Sequence, residues 1–285
     1  MRPLIEKFCI RAGRNFLRRG QRGFSANFPG SIRVAEFEVT DLKPLGGFFQ
    51  PGVTKAGRLS FAGYCNGRKV KVYSAQGSAQ IALRQAVQNI DFSVCAFPEL
   101  IAVDENLVVE AWVEGRSVEA LGSSARRGVE QDIRVFLEAN LLRGDLRNLA
   151  RQHAGAFCYF EDYLVSRLGT WIHWSLVGSF LASWKKQYDE LSKSVPVYLS
   201  HPDLSAANLV VESGTGKLVI VDNELLGVGL GWIIDGRNSL LRADIDCEVL
   251  SQIPKDFLDF TWRLRKIGSA LDASDFYQVK ALCSK

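Results

Sequence analysis

The stretch Leu199–Glu224, LSHPDLSAANLVVESGTGKLVIVDNE, contains two short apolar runs separated by a segment rich in glycine. The first run is Asn208–Glu212 and the second is Leu218–Asp222. Two β-forming runs around a glycine-containing turn predict a β-hairpin. We therefore expect a small hairpin in the second half of the chain, with polar residues at its open end.

The polar residues at the open end of this hairpin suit a metal-dependent reaction. Symmetric pairing about Thr215 would place Asn208 and Asp222 opposite each other, and cross-strand side chains are close enough to share one ligand. Asp203 lies five residues before Asn208, on the loop that enters the hairpin. Carboxylate and amide oxygens bind hard cations such as Mg²⁺, and a carboxylate can also accept the proton of a substrate hydroxyl. The pattern therefore predicts a functional site at Asp203, Asn208 and Asp222.

Composition and cysteine spacing disfavour several classes of protein. Apolar residues make up 47% of the 285 residues and charged residues 23%, which is ordinary for a globular chain with one domain or two lobes. The six cysteines lie at least thirty residues apart and form no C-x-x-C pair, so zinc, iron–sulfur and disulfide frameworks are not expected. Reduced thiols favour a cytoplasmic protein. No apolar run approaches the roughly 20 residues needed to cross a bilayer, so we expect no transmembrane segment.

Residues 1–33 form a basic arm. They carry eight Lys and Arg residues against Glu6 alone, a net charge of +7, whereas the whole chain carries +4. An amphipathic pattern over residues 2–20 is compatible with peripheral contact of residues 1–22 with an anionic membrane. We favour a terminal helix packed on the domain or a frayed arm, and a cleaved transit peptide also fits the pattern. We expect no nucleic-acid partner, because no folded domain carries a basic face with a binding motif.

The rest of the chain predicts strands first and helices afterwards. Three strands are predicted first, at residues 35–45, 58–64 and 69–73, with a tight turn at Asn66-Gly67 between the second and the third. A helix at residues 78–90 and two further strands at residues 97–103 and 106–112 follow. Helical patterns follow at residues 130–142, 145–167 and 171–191, and again from about residue 243. An apolar strand that stops at Glu114-Gly115 marks the lobe boundary. The predicted division is an arm at 1–33, an N-terminal lobe at 34–115 and a C-terminal lobe at 116–285.

A loop between the first two strands of the N-terminal lobe can hold phosphate groups. It contains Gly46, Gly47 and Gly52, and Lys71 lies on the third strand, on the same face as Tyr73. Backbone N–H groups of a glycine-containing loop and a lysine ammonium are the groups that cradle phosphates. Taken alone, such a loop is more often a simple turn and a strand lysine is usually solvated, so this pattern by itself leaves both interpretations open.

This order of elements resembles the protein-kinase fold, and more closely the aminoglycoside phosphotransferase and choline kinase superfamily of small-molecule kinases. The superfamily's H-x-D-x-x-x-x-N signature stands at residues 201–208, and its I-D-x-E signature stands, slightly altered, at residues 220–224. Its strand lysine before Val-Tyr stands at Lys71, and its connector pattern stands at residues 109–115 with the aromatic displaced by one residue. The resemblance covers roughly residues 34–285. It implies an α+β, bilobal protein-kinase-like fold, with a β-rich N-lobe and a mostly helical C-lobe that carries the catalytic hairpin.

The resemblance also implies an activity, the transfer of the ATP γ-phosphate to a hydroxyl group with the help of Mg²⁺. Asp203 would take the proton of the acceptor hydroxyl, and His201 would brace the catalytic loop rather than transfer protons. Asn208 and Asp222 would hold Mg²⁺, and Glu224 would either touch metal or substrate or be an exposed carboxylate. The residues implied for nucleotide binding are Lys71, Gly46, Gly47, Gly52 and the backbone of Glu110, Ala111 and Trp112.

One residue that the resemblance implies is missing. The superfamily pairs its strand lysine with a glutamate on the first helix, but the segment 78–91 offers only Gln80, Gln85, Gln88 and Asp91. A glutamine binds an ammonium group more weakly than a carboxylate does. The alternative to an active kinase is therefore a kinase-like binding or regulatory module without turnover. We favour the enzyme, because Lys71, Asp203, Asn208 and Asp222 are all retained.

The acceptor is a small molecule or a glycan. Tryptophans are frequent in the C-terminal lobe, and their faces suit sugar rings, which favours a carbohydrate or a cell-surface glycolipid. An aminoglycoside-type or choline-type acceptor is the alternative, because aromatic and acidic side chains also bind cations.

Overall fold

The computed structural model of the chain describes residues 30–45, 59–156, 166–169, 171–194, 197–201, 204, 206–229, 254–272 and 274–284. These residues divide into two compact units. The first consists of the described residues up to Ile81 together with Pro98–Trp112, and the second of Ala82–Phe97 and the described residues from Val113 onward. Most of the predicted basic arm, the predicted phosphate loop at Gly46, Gly47 and Gly52, and the predicted base Asp203 lie outside the described residues.

The described chain begins with strands and continues mainly with helices. The first half contains β1 (Ser31–Val34), β2 (Phe37–Pro44), β3 (Ser60–Cys65), β4 (Arg68–Ser74), α1 (Ser78–Gln88), β5 (Cys95–Ala96), β6 (Leu100–Val103), β7 (Leu107–Ala111) and β8 (Gly115–Ser117). The second half contains α2 (Ser123–Leu142), α3 (Gly144–Gln152), α4 (Ser166–Gly169), α5 (Ser175–Leu191), β9 (Tyr198–Ser200), β10 (Leu209–Glu212), β11 (Leu218–Ile220), β12 (Gly227–Gly229), α6 (Lys255–Asp272) and α7 (Phe276–Cys283). Strand β1 starts at Ser31, so the last residues of the predicted arm belong to the sheet.

The first unit is built on a six-stranded antiparallel sheet in the order β1-β2-β3-β4-β7-β6. The predicted turn between β3 and β4 is confirmed, since Asn66 and Gly67 both have positive φ, 48° and 75°. This is the backbone that a two-residue hairpin needs and that the Asn-Gly pair adopts readily.

Alternation along β4 gives the sheet two different faces. Val70 and Val72 are buried in one cluster together with β7 residue Val109. Tyr73 belongs to a separate cluster with Ile81 and Val108. Lys71 alternates with the two valines and therefore shares its face with Tyr73.

The second unit contains a four-stranded sheet in the order β5-β11-β10-β8 and a two-stranded sheet of β12 and β9. The predicted strand end at Gly115 is instead the start of β8, which pairs with β10. A Cβ atom at Gly115 would lie 2.2 Å from the carbonyl oxygen of Val211, so only glycine allows this approach. The connector thus joins the sheet that carries the predicted hairpin.

The predicted helices are present, with different ends. Helix α2 begins at Ser123, seven residues before the predicted start. The single helix predicted over residues 145–167 is wrong, because α3 ends at Gln152 and the chain continues in a tight turn in which the Ala156 N–H bonds to the His153 carbonyl. Gly155 lies in this turn, and glycine is a poor helix former. Within the described part of the chain, no helix is both long enough and apolar enough to span a membrane.

Candidate active site

The predicted hairpin is formed by β10 and β11, with Leu209 opposite Ile220 and Val210 opposite Val219. The register predicted from symmetry about Thr215 is wrong by one residue. Asn208 lies opposite Val221, whose N–H donates to the Asn208 carbonyl over 2.9 Å. The cause is the turn, which the Glu212 N–H closes onto the Lys217 carbonyl at 2.9 Å. The loop therefore has four residues rather than five.

Asp222 lies directly beyond the last pair of this hairpin and has a left-handed backbone, with φ 67° and ψ 42°. Aspartate is one of the few non-glycine residues that tolerate this region, and residues held there concentrate at functional sites. The conformation turns the chain out of β11 into a 3₁₀ turn at Asn223–Leu225. The buried Asn223 side chain donates to the Ile220 carbonyl over 3.2 Å and fixes this turn. Asp222 therefore lies on a bend that this hydrogen bond closes.

His201 is fully buried, and its Nε2 lies 3.2 Å from the carbonyl oxygen of Val221. A carbonyl oxygen only accepts, so Nε2 carries a proton and donates. The His201 carbonyl in turn accepts from the N–H of Leu204 at 3.0 Å. These contacts suit a residue that braces the loop from inside, and they leave the ring away from solvent.

Both ends of the H-x-D-x-x-x-x-N signature thus bond to one residue. His201 donates to the Val221 carbonyl, and the Val221 N–H donates to Asn208. Ala206 within the signature is also held, because its carbonyl accepts from the Glu119 N–H at 2.9 Å. The signature loop is therefore tied to the residue that immediately precedes Asp222.

The side chains at this end of the hairpin have a chemistry that fits a magnesium ion. Asn208 is 8% exposed, and Asp222 is half-buried. Mg²⁺ in proteins is commonly held by one or two carboxylates, with waters and substrate phosphates completing its shell. Among the described residues, no group of three or more His, Cys, Asp or Glu residues could hold a metal by itself. An ion at Asn208 and Asp222 would therefore need waters or phosphate oxygens to complete its shell. Glu224 is buried, so it is not an exposed carboxylate.

In the first unit, Lys71 lies on β4 directly opposite Glu110 on β7. Both are buried, with exposed fractions of 7% and 1%. The Tyr73 hydroxyl donates to Glu110 Oε1 over 2.9 Å, and Lys71 Nζ lies 5.6 Å from the centroid of the Tyr73 ring. Sequence reasoning gave Glu110 only a backbone role and missed this side chain. Strand alternation would have placed it on the Lys71 face only if the β4–β7 pairing had been known.

The predicted adenine-binding backbone is partly occupied within the sheet. The Ala111 N–H donates to the Glu99 carbonyl at 2.8 Å, and the Trp112 N–H donates to the Lys69 carbonyl at 3.0 Å. The Trp112 ring also lies 4.0 Å from Lys69 Nζ, a cation–π contact. Recognition of a base at these residues would therefore use carbonyl oxygens rather than these two N–H groups.

The glutamines of α1 are engaged locally. Gln80 is buried, and its Oε1 accepts from the Gln76 N–H at 2.8 Å, just before the helix. Gln88 Oε1 accepts from Arg84 at 3.0 Å. No acidic residue lies on α1. The missing helix glutamate is thus not replaced by a carboxylate from the same helix.

Comparison with known proteins gives a match in structure but none in sequence. No protein-family model matches the chain, and no curated protein sequence matches it significantly. The apo crystal structure of a thermostable mutant of aminoglycoside phosphotransferase APH(4)-Ia aligns with a TM-score of 0.52 and 14% identity, over 86% of this chain and 93% of that one. Its ternary complex with AMP-PNP and hygromycin B aligns with a TM-score of 0.53 and 13% identity, over 86% and 92%. The streptomycin–ATP–APH(2")-IIa complex aligns with a TM-score of 0.51 and 15% identity, over 87% and 92%.

A unit with an antiparallel sheet, followed by a mostly helical unit that carries the signature hairpin, defines the protein-kinase-like fold. The predicted fold class is therefore confirmed. Within that class, the chain has the fold of the aminoglycoside phosphotransferases, as the sequence resemblance implied.

Proposed function

We propose that the protein is an ATP-dependent phosphotransferase that moves the γ-phosphate to a hydroxyl group of a small molecule. One observation carries this proposal. Val221 bonds to both ends of the H-x-D-x-x-x-x-N signature and directly precedes Asp222, which has a left-handed backbone. Phosphoryl transfer depends mainly on positioning and on charge stabilisation, and a segment tied in this way supplies positioning.

Each retained residue has a role in this proposal. Asp203 accepts the proton of the acceptor hydroxyl, and His201 holds the loop that carries it. Asn208 and Asp222 hold Mg²⁺, which when bound neutralises charge on the phosphate oxygens. In the first unit, Lys71 contacts the nucleotide phosphates, together with the backbone of the loop that contains Gly46, Gly47 and Gly52. The backbone of Glu110, Ala111 and Trp112 contacts the adenine.

For the acceptor we propose a polyhydroxylated molecule, with a carbohydrate or a cell-surface glycolipid first and an aminoglycoside-type or choline-type acceptor second. Trp171 and Trp174 support the first choice, because both are half-buried and lie edge-on to Phe276 at centroid distances of 5.7 and 5.5 Å. Rings held in this way can present a face to a sugar. Trp184 is not available for such a contact, because it is buried between Tyr188 and Phe260.

The test is a phosphorylation screen with ATP and Mg²⁺ over sugars, glycolipids, aminoglycosides and amino alcohols, read by mass spectrometry. We expect a phosphorylated product in one class, and its loss in the Asp203→Ala and Asp222→Ala variants. Asp189→Asn, an exposed change on α5, is the matched control and should leave turnover unchanged. If the protein binds nucleotide but forms no product and consumes no ATP, the enzyme hypothesis is refuted and the non-catalytic binding module is favoured.

The basic arm is the basis of a separate proposal, that residues 1–22 contact an anionic membrane. Its support is the charge and the amphipathic pattern alone. Co-sedimentation with anionic vesicles should be lost when residues 1–22 are removed. Equal binding of the full and shortened chains would refute the membrane role and favour an arm packed on the domain.

A further inference from the structure

The face of the first unit's sheet that carries Lys71 brings together two buried charges of opposite sign. Lys71 is 7% exposed and Glu110 is 1% exposed. A buried ammonium or carboxylate is costly unless it is paired and hydrogen-bonded. Each of these side chains therefore requires a counter-charge close by.

The strand register places these two charges together. Lys71 and Glu110 are direct partners in the antiparallel β4–β7 pair, so both side chains project from the same face. The Cβ atoms of such partners are about 4.5–5.5 Å apart, which is within reach of a lysine and a glutamate. The Tyr73 side chain contacts both residues, because its hydroxyl donates to Glu110 Oε1 at 2.9 Å and its ring lies under Lys71 Nζ. Tyr73 engages one carboxylate oxygen, and the geometry assigns the other to the lysine.

Neighbouring charges have other partners. Lys69, two residues before Lys71 on the same face, lies over the Trp112 ring at 4.0 Å. Glu99 pairs with Arg68 at 2.6 Å in an exposed salt bridge. The side-chain oxygen of the buried Gln80 accepts from the Gln76 N–H just before α1. Within the described part of this sheet, Glu110 is the carboxylate that the register places opposite Lys71.

We propose that Glu110 is the counter-ion that positions Lys71, in place of a glutamate on the first helix. This inference deepens the proposed function and rests on it, since the task of Lys71 is to contact nucleotide phosphates. A carboxylate fixed by Tyr73 on a central strand holds the ammonium in one place before nucleotide binds. Glu110 is thus a positioning residue whose effect on phosphate binding passes through Lys71.

The pair is tested without nucleotide by a double-variant cycle in chemical denaturation, using Lys71→Met, Glu110→Gln and both changes together. Each single change leaves one buried charge without its partner, so each should raise the unfolding equilibrium constant at least about tenfold. The double variant should be at least about tenfold more stable than additivity predicts. A coupling smaller than about tenfold overturns the pair.

The exposed Arg68–Glu99 pair supplies the matched control in the same sheet. Arg68→Gln, Glu99→Gln and their combination should show a coupling of less than about fivefold, because exposed ion pairs contribute little. A coupling there as large as that between Lys71 and Glu110 would show that the cycle reports a general charge effect and would overturn the assignment.

The positioning role is tested by comparing affinities for adenosine and for Mg²⁺·AMP-PNP. Glu110→Gln should weaken AMP-PNP about tenfold and leave adenosine unchanged, and it should add no further loss to Lys71→Met. Equal weakening of both ligands would refute positioning in favour of a merely structural role. If the unaltered protein binds neither ligand, the proposed function fails, while the denaturation cycle still decides whether Lys71 and Glu110 are paired.

Discussion

Replacing His201 with alanine should loosen the segment that carries Asp222 and Asn208. The change removes the Nε2 donor from the Val221 carbonyl, and the loss of this part-buried bond costs about 1–3 kcal/mol. The His201 side chain is fully buried, so its removal also leaves a cavity that costs about 2 kcal/mol. The free energy of unfolding should therefore fall by about 3–5 kcal/mol. Glutamine can place a donor near the position of Nε2, so His201→Gln should lose about 1.5 kcal/mol or less.

The measurement is urea denaturation followed by tryptophan fluorescence, with His173→Ala as the control. His173 is exposed and its ring stacks on the half-buried Trp171 at a centroid distance of 6.2 Å, so its replacement should shift the Trp171 signal but change stability by no more than about 1 kcal/mol. In the proposed reaction, His201→Gln should retain most of the turnover, whereas His201→Ala should lower kcat on the order of 10²-fold. A loss of stability below about 1 kcal/mol for His201→Ala would refute the bracing role, as would unchanged turnover.

Three further predictions concern the second unit. Gly115→Ala should destabilise the protein by about 1–3 kcal/mol, because the new Cβ would overlap a carbonyl oxygen of the neighbouring strand. Gly128→Ala within α2 should stabilise the protein by about 0.5–1 kcal/mol, and both effects are measured from denaturation midpoints. Asp222→Asn should keep stability within about 0.5 kcal/mol, since asparagine also tolerates the left-handed region, yet it should abolish phosphoryl transfer; retained turnover would exclude a metal-binding carboxylate. Burial raises the pKa of both the Cys95 and the Cys283 thiols, but Cys283 is less buried, so iodoacetamide at pH 8.5 should label Cys283 before Cys95 in the native protein. The reverse order in peptide mass spectrometry would contradict this.

Features that depend on neighbouring residues were predictable from the sequence. The Asn66-Gly67 turn requires two positive φ angles, which asparagine and glycine adopt at low cost. The helix at α1 was also predicted, because its apolar periodicity is a local property. The hairpin of residues 208–222 was predicted for the same reason. The long helix predicted over residues 145–167 shows where local periodicity misleads, since the turn around Gly155 interrupts it.

The hairpin register shows a limit of local reasoning at the candidate site. Residues 213–217 are all compatible with a turn, and their pattern does not specify which pair closes the loop. The closure between Glu212 and Lys217 moved the partner of Asn208 from Asp222 to Val221. Because of the same shift, the carbonyl of Val221 accepts from His201 and its N–H donates to the Asn208 carbonyl.

From the sequence alone, Lys71 and the residues of the signature hairpin follow one another in an order that resembles a small-molecule kinase. The sequence also shows that the first helix carries no acidic residue. Tertiary structure decided which carboxylate lies opposite Lys71 in the sheet. Lys71 and Glu110 are thirty-nine positions apart in the chain, and only the pairing of β4 with β7 makes them neighbours on one buried face. Strand pairing minimises the free energy of the whole sheet rather than of either segment, so no local pattern around either residue could have revealed it.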